Sequence, residues 1–169
     1  ARLPAEDAVS LQSPKPFNPG ALKIAAPMLS RIANFDDADP LRLESGVAFS
    51  WVPPGPALPR DAALTVLFGT KSTPGALAFL PAQGRGHDLV AQSRSGGRVL
   101  GICGGYQMLG RSIADPNGYD GEPGSAAGLG LLNINTVMTG AKRVAPVRGM
   151  HIETQCPLSG YEIHIGTTD

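Results

Sequence analysis

Short apolar runs separated by glycine- and proline-rich turns recur along the first part of this chain, and their lengths predict buried strands. The runs lie at residues 22–26, 46–52, 61–68 and 98–100. Helix-forming composition is found at residues 75–80 and 88–95, and again after the last run at residues 106–109. Strands that alternate with helices indicate a doubly wound sheet of the α/β class.

The later part of the chain is richer in strands than in helices. Residues 115–128 are rich in glycine and proline, which predicts a long loop. Three further strands are predicted at residues 129–138, 143–152 and 159–166, the first two of them joined near residues 139–140. The sheet is therefore expected to carry a β-rich C-terminal addition.

Residues 1–20 differ from the rest because they contain four prolines and no hydrophobic periodicity. This composition predicts a linker, which leaves residues 21–169 as one domain. A chain of 169 residues with 42% hydrophobic and 17% charged residues is long enough to bury one sizeable hydrophobic core.

Charge and composition limit the classes of partner that the chain is expected to bind. Fourteen basic and fourteen acidic residues leave no basic excess to attract nucleic acid or an anionic membrane surface. The sequence has no apolar run of transmembrane length, and residues 1–7 lack the apolar core of a signal peptide. The two cysteines, Cys103 and Cys156, have dissimilar settings, which argues against a structural disulfide. We expect a soluble, cytoplasmic protein with free thiols.

One stretch carries the chemistry, namely RVLGICGGYQMLG at residues 98–110. It predicts a strand, a sharp turn and a helix, with Cys103 at the bend and glycines on both sides. A cysteine at the first turn of a helix lies near unpaired N–H groups, which favour the reactive thiolate. A buried structural cysteine is the alternative, but the Gly-x-Cys-x-Gly spacing favours a nucleophile.

A thiolate that attacks a carbonyl creates an oxyanion, which needs fixed hydrogen-bond donors. The N–H of Gly104 is one candidate, and the turn GTKST at residues 69–73 offers others at Gly69 and Thr70. We call residues 69–73 the cradle turn. It is not a nucleotide phosphate loop, because Leu64 stands where that motif needs a glycine.

A cysteine nucleophile usually works with a general base, and the chain offers His87, His151 and His164. Glu162 and His164 are two residues apart, so a strand places them on one face, where the carboxylate can orient the imidazole. His164 is the best candidate base by this argument, although a structural histidine on a strand is an equal alternative. No metal site is predicted, since the acidic residues at 36, 37 and 39 are typical of a solvated turn.

The chain resembles the class I, or triad, glutamine amidotransferases, and among them the amidotransferase domain of cobyric acid synthases. The resemblance extends over nearly the whole chain. It rests on segments at residues 3–9, 31–37, 39–41, 69–73, 101–110, 113–116, 128–132 and 159–164. It implies a flavodoxin-like, mostly parallel sheet with helices on both faces.

The resemblance also implies a reaction. Cys103 would attack the side-chain amide of glutamine, form a γ-glutamyl thioester and release ammonia. Gly69, Thr70 and Gly104 would form the oxyanion hole, and Gln107 would help bind glutamine. This domain would bind no cofactor itself. Its ammonia would serve a synthetase domain that uses ATP and Mg²⁺ to amidate a corrinoid substrate, cobyrinic acid a,c-diamide.

Two departures from the family pattern bear on these expectations. Family members carry an ATP-binding domain before the linker, so residues 1–20 are expected to be the remnant of that connection. The resemblance also implies that the family's catalytic histidine lies beyond the YEIH segment (residues 161–164), past Asp169. The domain is therefore expected to be C-terminally truncated and impaired as a glutaminase, with His164 a structural or interface residue.

The strand, bend and helix at residues 98–110, which we call the elbow, also fit two other functions. One is a different flavodoxin-like cysteine hydrolase, of the protease or deglycase type. The other is a non-catalytic module with an amidotransferase-like fold that docks on a synthetase or a corrinoid.

Overall fold

A four-stranded parallel sheet forms the centre of the computed structural model, which describes Asn18 and residues 20–169. Its strands are β1 (Leu22–Pro27), β2 (Val47–Val52), β3 (Leu64–Leu67) and β4 (Arg98–Gly101), in the order β2-β1-β3-β4. This order is typical of flavodoxin-like folds. The predicted linker at residues 1–20 lies outside the described residues except for Asn18 and Gly20.

The two central strands hold the core. Ile24 of β1 lies opposite Phe49 of β2 and Leu64 of β3. Val66 and Leu67 of β3 are fully buried. Burial of both faces explains why these strands are continuous apolar runs rather than alternating ones.

Four helices connect and cover the strands. They are α1 (Asp39–Leu43), α2 (Thr73–Ala82), α3 (Arg85–Arg94) and α4 (Gly104–Met108), and a 3₁₀ turn at Asp36–Ala38 precedes α1. Gly84 separates α2 from α3 and has a left-handed conformation (φ 71°), which glycine adopts without steric strain. The predicted alternation of strands and helices is confirmed.

After α4 the chain leaves the parallel sheet and builds a second one. Its strands are β5 (Ser112–Asp115), β6 (Gly124–Ala127), β7 (Asn135–Val137) and β10 (Thr167–Thr168), in the order β10-β7-β5-β6. β5 runs parallel to β7 and antiparallel to β6. The prediction of an α/β fold with a β-rich addition is confirmed.

A long antiparallel hairpin completes the described chain. It consists of β8 (Arg143–His151) and β9 (Cys156–His164), paired from Arg143 and His164 at one end to His151 and Cys156 at the other. Directly opposed residues share a face. One face carries Val144, Tyr161 and Ile163, which are 46% to 74% exposed, so large apolar side chains contact solvent there.

Two details of the strand prediction were wrong. The predicted loop at residues 115–128 contains β6, and only Asn135–Val137 of the predicted strand at residues 129–138 is a strand. The N–H groups of Leu129 and Leu131 instead donate to the carbonyls of Met108 and Leu109, at the end of α4. β7 pairs with β5, and β8 pairs with β9.

Trp51 packs in an aromatic cluster rather than facing a ligand. It is 9% exposed and meets Phe35 and Phe49 edge-on at centroid distances of 5.3 and 5.2 Å. Its third neighbour, Phe68, directly precedes the cradle turn, with the two rings 5.2 Å apart. The cluster therefore supports the backbone from which the cradle turn departs.

Two glycines set how closely α4 approaches the parallel sheet. A Cβ atom on Gly105 would lie 2.0 Å from the carbonyl oxygen of Leu67, and one on Gly101 would lie 2.5 Å from the carbonyl oxygen of Gly105. The N–H of Ile102 donates to the same Leu67 carbonyl at 2.9 Å. The helix that follows Cys103 thus starts against the end of β3.

Gly105→Ala is expected to lower the free energy of unfolding by about 3 kcal/mol, because the backbone of Leu67 and α4 must separate to admit the methyl group. Urea denaturation measures this loss. Gly46→Ala is the matched control, since a Cβ there meets nothing within 4 Å. Equal stability of the two variants would contradict the close contact.

Candidate active site

Cys103 lies at a strained bend between β4 and α4. Its backbone has φ 53° and ψ −117°, a conformation that residues other than glycine rarely adopt. The thiol is free and exposed. Strain of this kind is retained where the surrounding structure enforces it, and such residues cluster at functional sites.

The cradle turn lies beside this cysteine, as predicted. A Cβ atom on Gly69 would be 3.5 Å from the Cβ of Cys103 and 3.9 Å from its Sγ. A Cβ on Gly104 would be 3.4 Å from the backbone nitrogen of Thr70. The structure therefore brings Gly69, Thr70, Cys103 and Gly104 together, and their role as oxyanion donors stays a prediction.

A neighbouring segment holds the cradle turn in place. The N–H of Ala33 donates to the carbonyl of Gly69, and the N–H of Lys71 donates to the carbonyl of Arg31, both at 2.9 Å. Ile32 and Thr70 form an isolated antiparallel bridge. These bonds hold the cradle turn against residues 31–33.

Gln107 lies one helical turn after the cysteine. Its backbone N–H donates to the carbonyl of Cys103 at 3.2 Å, and its side chain is half-buried. Residues four apart share a helix face. This position is compatible with the predicted contact to glutamine, which stays a prediction.

The three histidines lie in different places. His87 is exposed on α3, and His151 is exposed at the end of β8, where its Nδ1 is 2.8 Å from the hydroxyl of Thr154. His164 lies at the end of β9, with Nε2 2.5 Å from Oε1 of Glu162 and Nδ1 3.0 Å from the carbonyl oxygen of Gly166. Within the described residues, none of them is hydrogen-bonded to Cys103.

The predicted pairing of Glu162 with His164 is therefore present, but both ring nitrogens face oxygen atoms. Each nitrogen has an oxygen atom, rather than the thiol of Cys103, within hydrogen-bond distance. Glu162 also accepts a hydrogen bond from Nε of Arg143 at 2.6 Å. That bond, and secondarily the bond to His164, lowers the pKa of Glu162 below its ordinary value. The role of His164 as base stays a prediction.

Two residues at the site gave no catalytic signal in the sequence. Asp120 accepts a hydrogen bond from the N–H of Thr73, and Asp115 accepts bonds from the N–H groups of Tyr119 and Asp120. We call residues 115–121 the 115–121 loop. The turn signature Asp-Pro-Asn-Gly at its start indicates a tight turn but not what the turn contacts.

The acidic residues near α1 serve local structure. Asp36 and Asp37 form the 3₁₀ turn before α1, and Asp39 accepts a hydrogen bond from Arg42 at 2.9 Å. In the part of the chain that the structure describes, no three His, Cys, Asp or Glu side chains are grouped to hold a metal ion. Across those same residues, no helix combines the length and apolar character needed to span a bilayer.

Comparison with known sequences gives consistent matches over the whole chain. A family model described as the CobB/CobQ-like glutamine amidotransferase domain matches residues 23–169. Proteins named cobyric acid synthase are 61% identical over 168 residues in Hyphomonas neptunium, 60% over 168 in Paracoccus denitrificans and 58% over 169 in Cereibacter sphaeroides. The alignments cover 99% to 100% of this chain and 34% to 35% of those proteins, so the chain spans about a third of their length.

Two solved structures share the fold. A crystal structure of a glutamine amidotransferase has a TM-score of 0.57 at 15% identity, covering 84% of this chain and 70% of its own. A structure of PurLQS from Thermotoga maritima has a TM-score of 0.63 at 17% identity, covering 86% of this chain and 68% of its own. At such identities the similarity establishes the arrangement of strands and helices.

Cys103→Gly is expected to unfold with a free energy about 1 kcal/mol higher than Cys103→Ala, because the strain that glycine relieves at φ 53° exceeds its larger entropic cost of folding. Both variants lack the thiol, so urea denaturation of the pair isolates the backbone effect. Equal or greater stability of the alanine variant would show that the bend stores no strain.

Arg143→Gln is expected to raise the pKa of Glu162 toward its ordinary value, because Arg143 is the main cause of its lowering. Carboxyl NMR titration measures this shift. The ionised pair stabilises the hairpin above the ordinary pKa of the carboxyl, and this contribution is lost as the pH falls through the lowered value. Arg148→Gln is the control, since Arg148 pairs with Ser159 on the opposite face; an equal shift there would refute the assignment.

Proposed function

Because this chain belongs to the CobB/CobQ-like glutamine amidotransferase family, we propose that it hydrolyses glutamine and releases ammonia. The family assignment agrees with the resemblance drawn from the elbow and the YEIH segment. The observation that carries the proposal is the exposed thiol of Cys103 at a strained bend, with the backbone of Gly69, Thr70 and Gly104 around it. Nucleophile and donors of this kind suit acyl transfer.

In the proposed reaction the Cys103 thiolate attacks the carbonyl carbon of the glutamine side chain. The carbonyl oxygen gains the charge and is stabilised by N–H groups of the cradle turn and of Gly104. The amide nitrogen takes up a proton, the carbon–nitrogen bond breaks and ammonia leaves. A γ-glutamyl thioester remains. Water cleaves the thioester, which yields glutamate and restores the thiol. Gln107 contributes to binding glutamine.

We propose that His164 is not the base for these proton transfers. Both ring nitrogens of His164 are engaged, one by Glu162 and one by the carbonyl of Gly166. A general base needs a free lone pair within hydrogen-bond reach of the proton it accepts. His164 is therefore proposed to order the end of β9, next to β10, rather than to act on Cys103.

The use of the ammonia is proposed from the relatives named cobyric acid synthase, of which this chain spans about a third. We propose that a synthetase portion uses it, with ATP and Mg²⁺, to amidate carboxylates of a corrinoid, cobyrinic acid a,c-diamide. We propose that this domain binds neither cofactor itself, since Leu64, in β3 before the cradle turn, stands where a nucleotide phosphate loop needs a glycine. The two free thiols fit a reducing cytoplasm.

Cys103→Ala in the full-length protein is expected to lower the rate of glutamate formation from glutamine on the order of a thousandfold or more, because the nucleophile is lost. Enzymatic detection of glutamate and ammonia measures the rate. Cys156→Ala is the matched control, since Cys156 is the other free and exposed cysteine, and it is expected to retain full activity.

A glutamine-derived electrophile is expected to label Cys103 and to be blocked by glutamine, whereas Cys156 gains no such protection. Labelling without protection by glutamine would favour a cysteine hydrolase of another class. If the protein has no Cys103-dependent turnover but still binds a synthetase partner, the non-catalytic interaction module is the correct description.

A further inference from the structure

The first turn of α2 is the downstream end of the cradle turn, and its hydrogen bonding is unusual. Helix N-termini leave backbone N–H groups without intrahelical partners, and the N-cap side chain normally accepts one of them. Here the N-cap residue, Ser72, makes no side-chain capping bond. The N–H of Thr73 instead donates to Oδ2 of Asp120 at 2.7 Å, from a residue 47 positions later in the chain.

Asp120 is itself held at a fixed point. Its backbone N–H donates to one carboxylate oxygen of Asp115, and the N–H of Tyr119 donates to the other, both at 2.8 Å. Asp115 is fully buried and ends strand β5. The position of the Asp120 carboxylate is therefore set by the second sheet rather than by the parallel sheet.

The 115–121 loop also lies against the start of α2 at a second point. A Cβ atom on Gly121 would be 3.2 Å from the hydroxyl of Ser72. The tight turn before it depends on Gly118, which has φ 71° and leaves only 2.9 Å between a Cβ there and the carbonyl oxygen of Gly121. The loop thus approaches α2 with little room for adjustment.

Thr73 connects this contact to the cysteine. A Cβ atom on Gly104 would be 3.1 Å from the hydroxyl of Thr73 and 3.4 Å from the backbone nitrogen of Thr70. The two halves of the proposed oxyanion site, one in the cradle turn and one at the start of α4, therefore meet beside Thr73. A shift of Thr73 changes the spacing between them.

We infer that Asp120 is a positioning residue for glutamine hydrolysis, which holds the cradle turn against Gly104 through its hydrogen bond to Thr73. This inference rests on the proposed glutaminase function. Oxyanion donors act on the charge that develops in the transition state, so their displacement lowers kcat and leaves KM nearly unchanged. A carboxylate that only stabilised the fold would alter neither constant in the folded protein.

The test compares Asp120→Ala and Asp120→Asn in the full-length protein. Asp120→Ala is expected to lower kcat for glutamine hydrolysis roughly tenfold to a hundredfold with little change in KM, less than or comparable to the loss of one oxyanion donor. Asp120→Asn keeps an oxygen acceptor for the N–H of Thr73 and is expected to recover most of kcat. Glu122→Gln, an exposed carboxylate two residues later, is the control and is expected to match the wild type.

A second measurement follows the contact without using the reaction. Hydrogen–deuterium exchange in a peptide that contains residues 69–73 is expected to be faster in Asp120→Ala than in the wild type, and near wild-type rates in Asp120→Asn. Exchange in α3 is the internal reference for global unfolding, since the hydrogen bonds described for Asp120 go to Thr73 and Asp115 instead. Faster exchange confined to the cradle turn identifies a local change of position.

The two measurements separate the inference from the function on which it rests. A fall in kcat at constant KM, with recovery in Asp120→Asn and faster cradle exchange, supports the positioning role. Unchanged kcat in Asp120→Ala, or unchanged cradle exchange, overturns it. If the wild type hydrolyses no glutamine, the proposed function fails. The positioning role in hydrolysis then fails with it, because there is no catalytic step to assist. Slower exchange of the cradle turn in the wild type than in Asp120→Ala would in that case show only that Asp120 holds the turn.

Discussion

The close approach of α4 to the end of β3 is the contact on which the rest of the site depends. The backbone of Gly105 lies so near the carbonyl of Leu67 that no side chain fits between them. The chain must therefore turn sharply after β4, and Cys103 takes up the turn in a left-handed conformation. The strain at the nucleophile follows from a packing requirement two residues later in the chain, and the buried core behind β3 resists its release.

The parallel sheet determines where the reactive groups meet. The cradle turn follows β3 and Cys103 follows β4, and these strands are neighbours in the sheet. Parallel neighbours present their carboxyl ends at one edge, which is where open α/β sheets place their sites. Gly69 and Cys103 are thus brought together by strand pairing, although many residues separate them along the chain. The second sheet adds the carboxylate of Asp120 at the same edge through the 115–121 loop.

The hairpin of β8 and β9 stands apart from this arrangement. One face holds the bonds of Glu162 to Arg143 and His164 at its end, and the other face exposes Val144, Tyr161 and Ile163. A two-stranded ribbon gains little stability from its own contacts in water. The ion pair at Glu162 is accessible to solvent and adds little. The hairpin is consequently less firmly held than the elbow, which is packed against a buried strand.

The sequence by itself determined the strand, bend and helix around Cys103, the strands of the parallel sheet and the candidate donors at Gly69 and Gly104, because these follow from local composition and from the positions of glycine in the two turns. Tertiary structure alone decided the remainder. The N–H groups of residues 129–132 bond to the end of α4, which overrides the strand propensity of that segment. The bond from Thr73 to Asp120 joins two sheets, and no local pattern records a contact whose partners are brought together only when both sheets have formed.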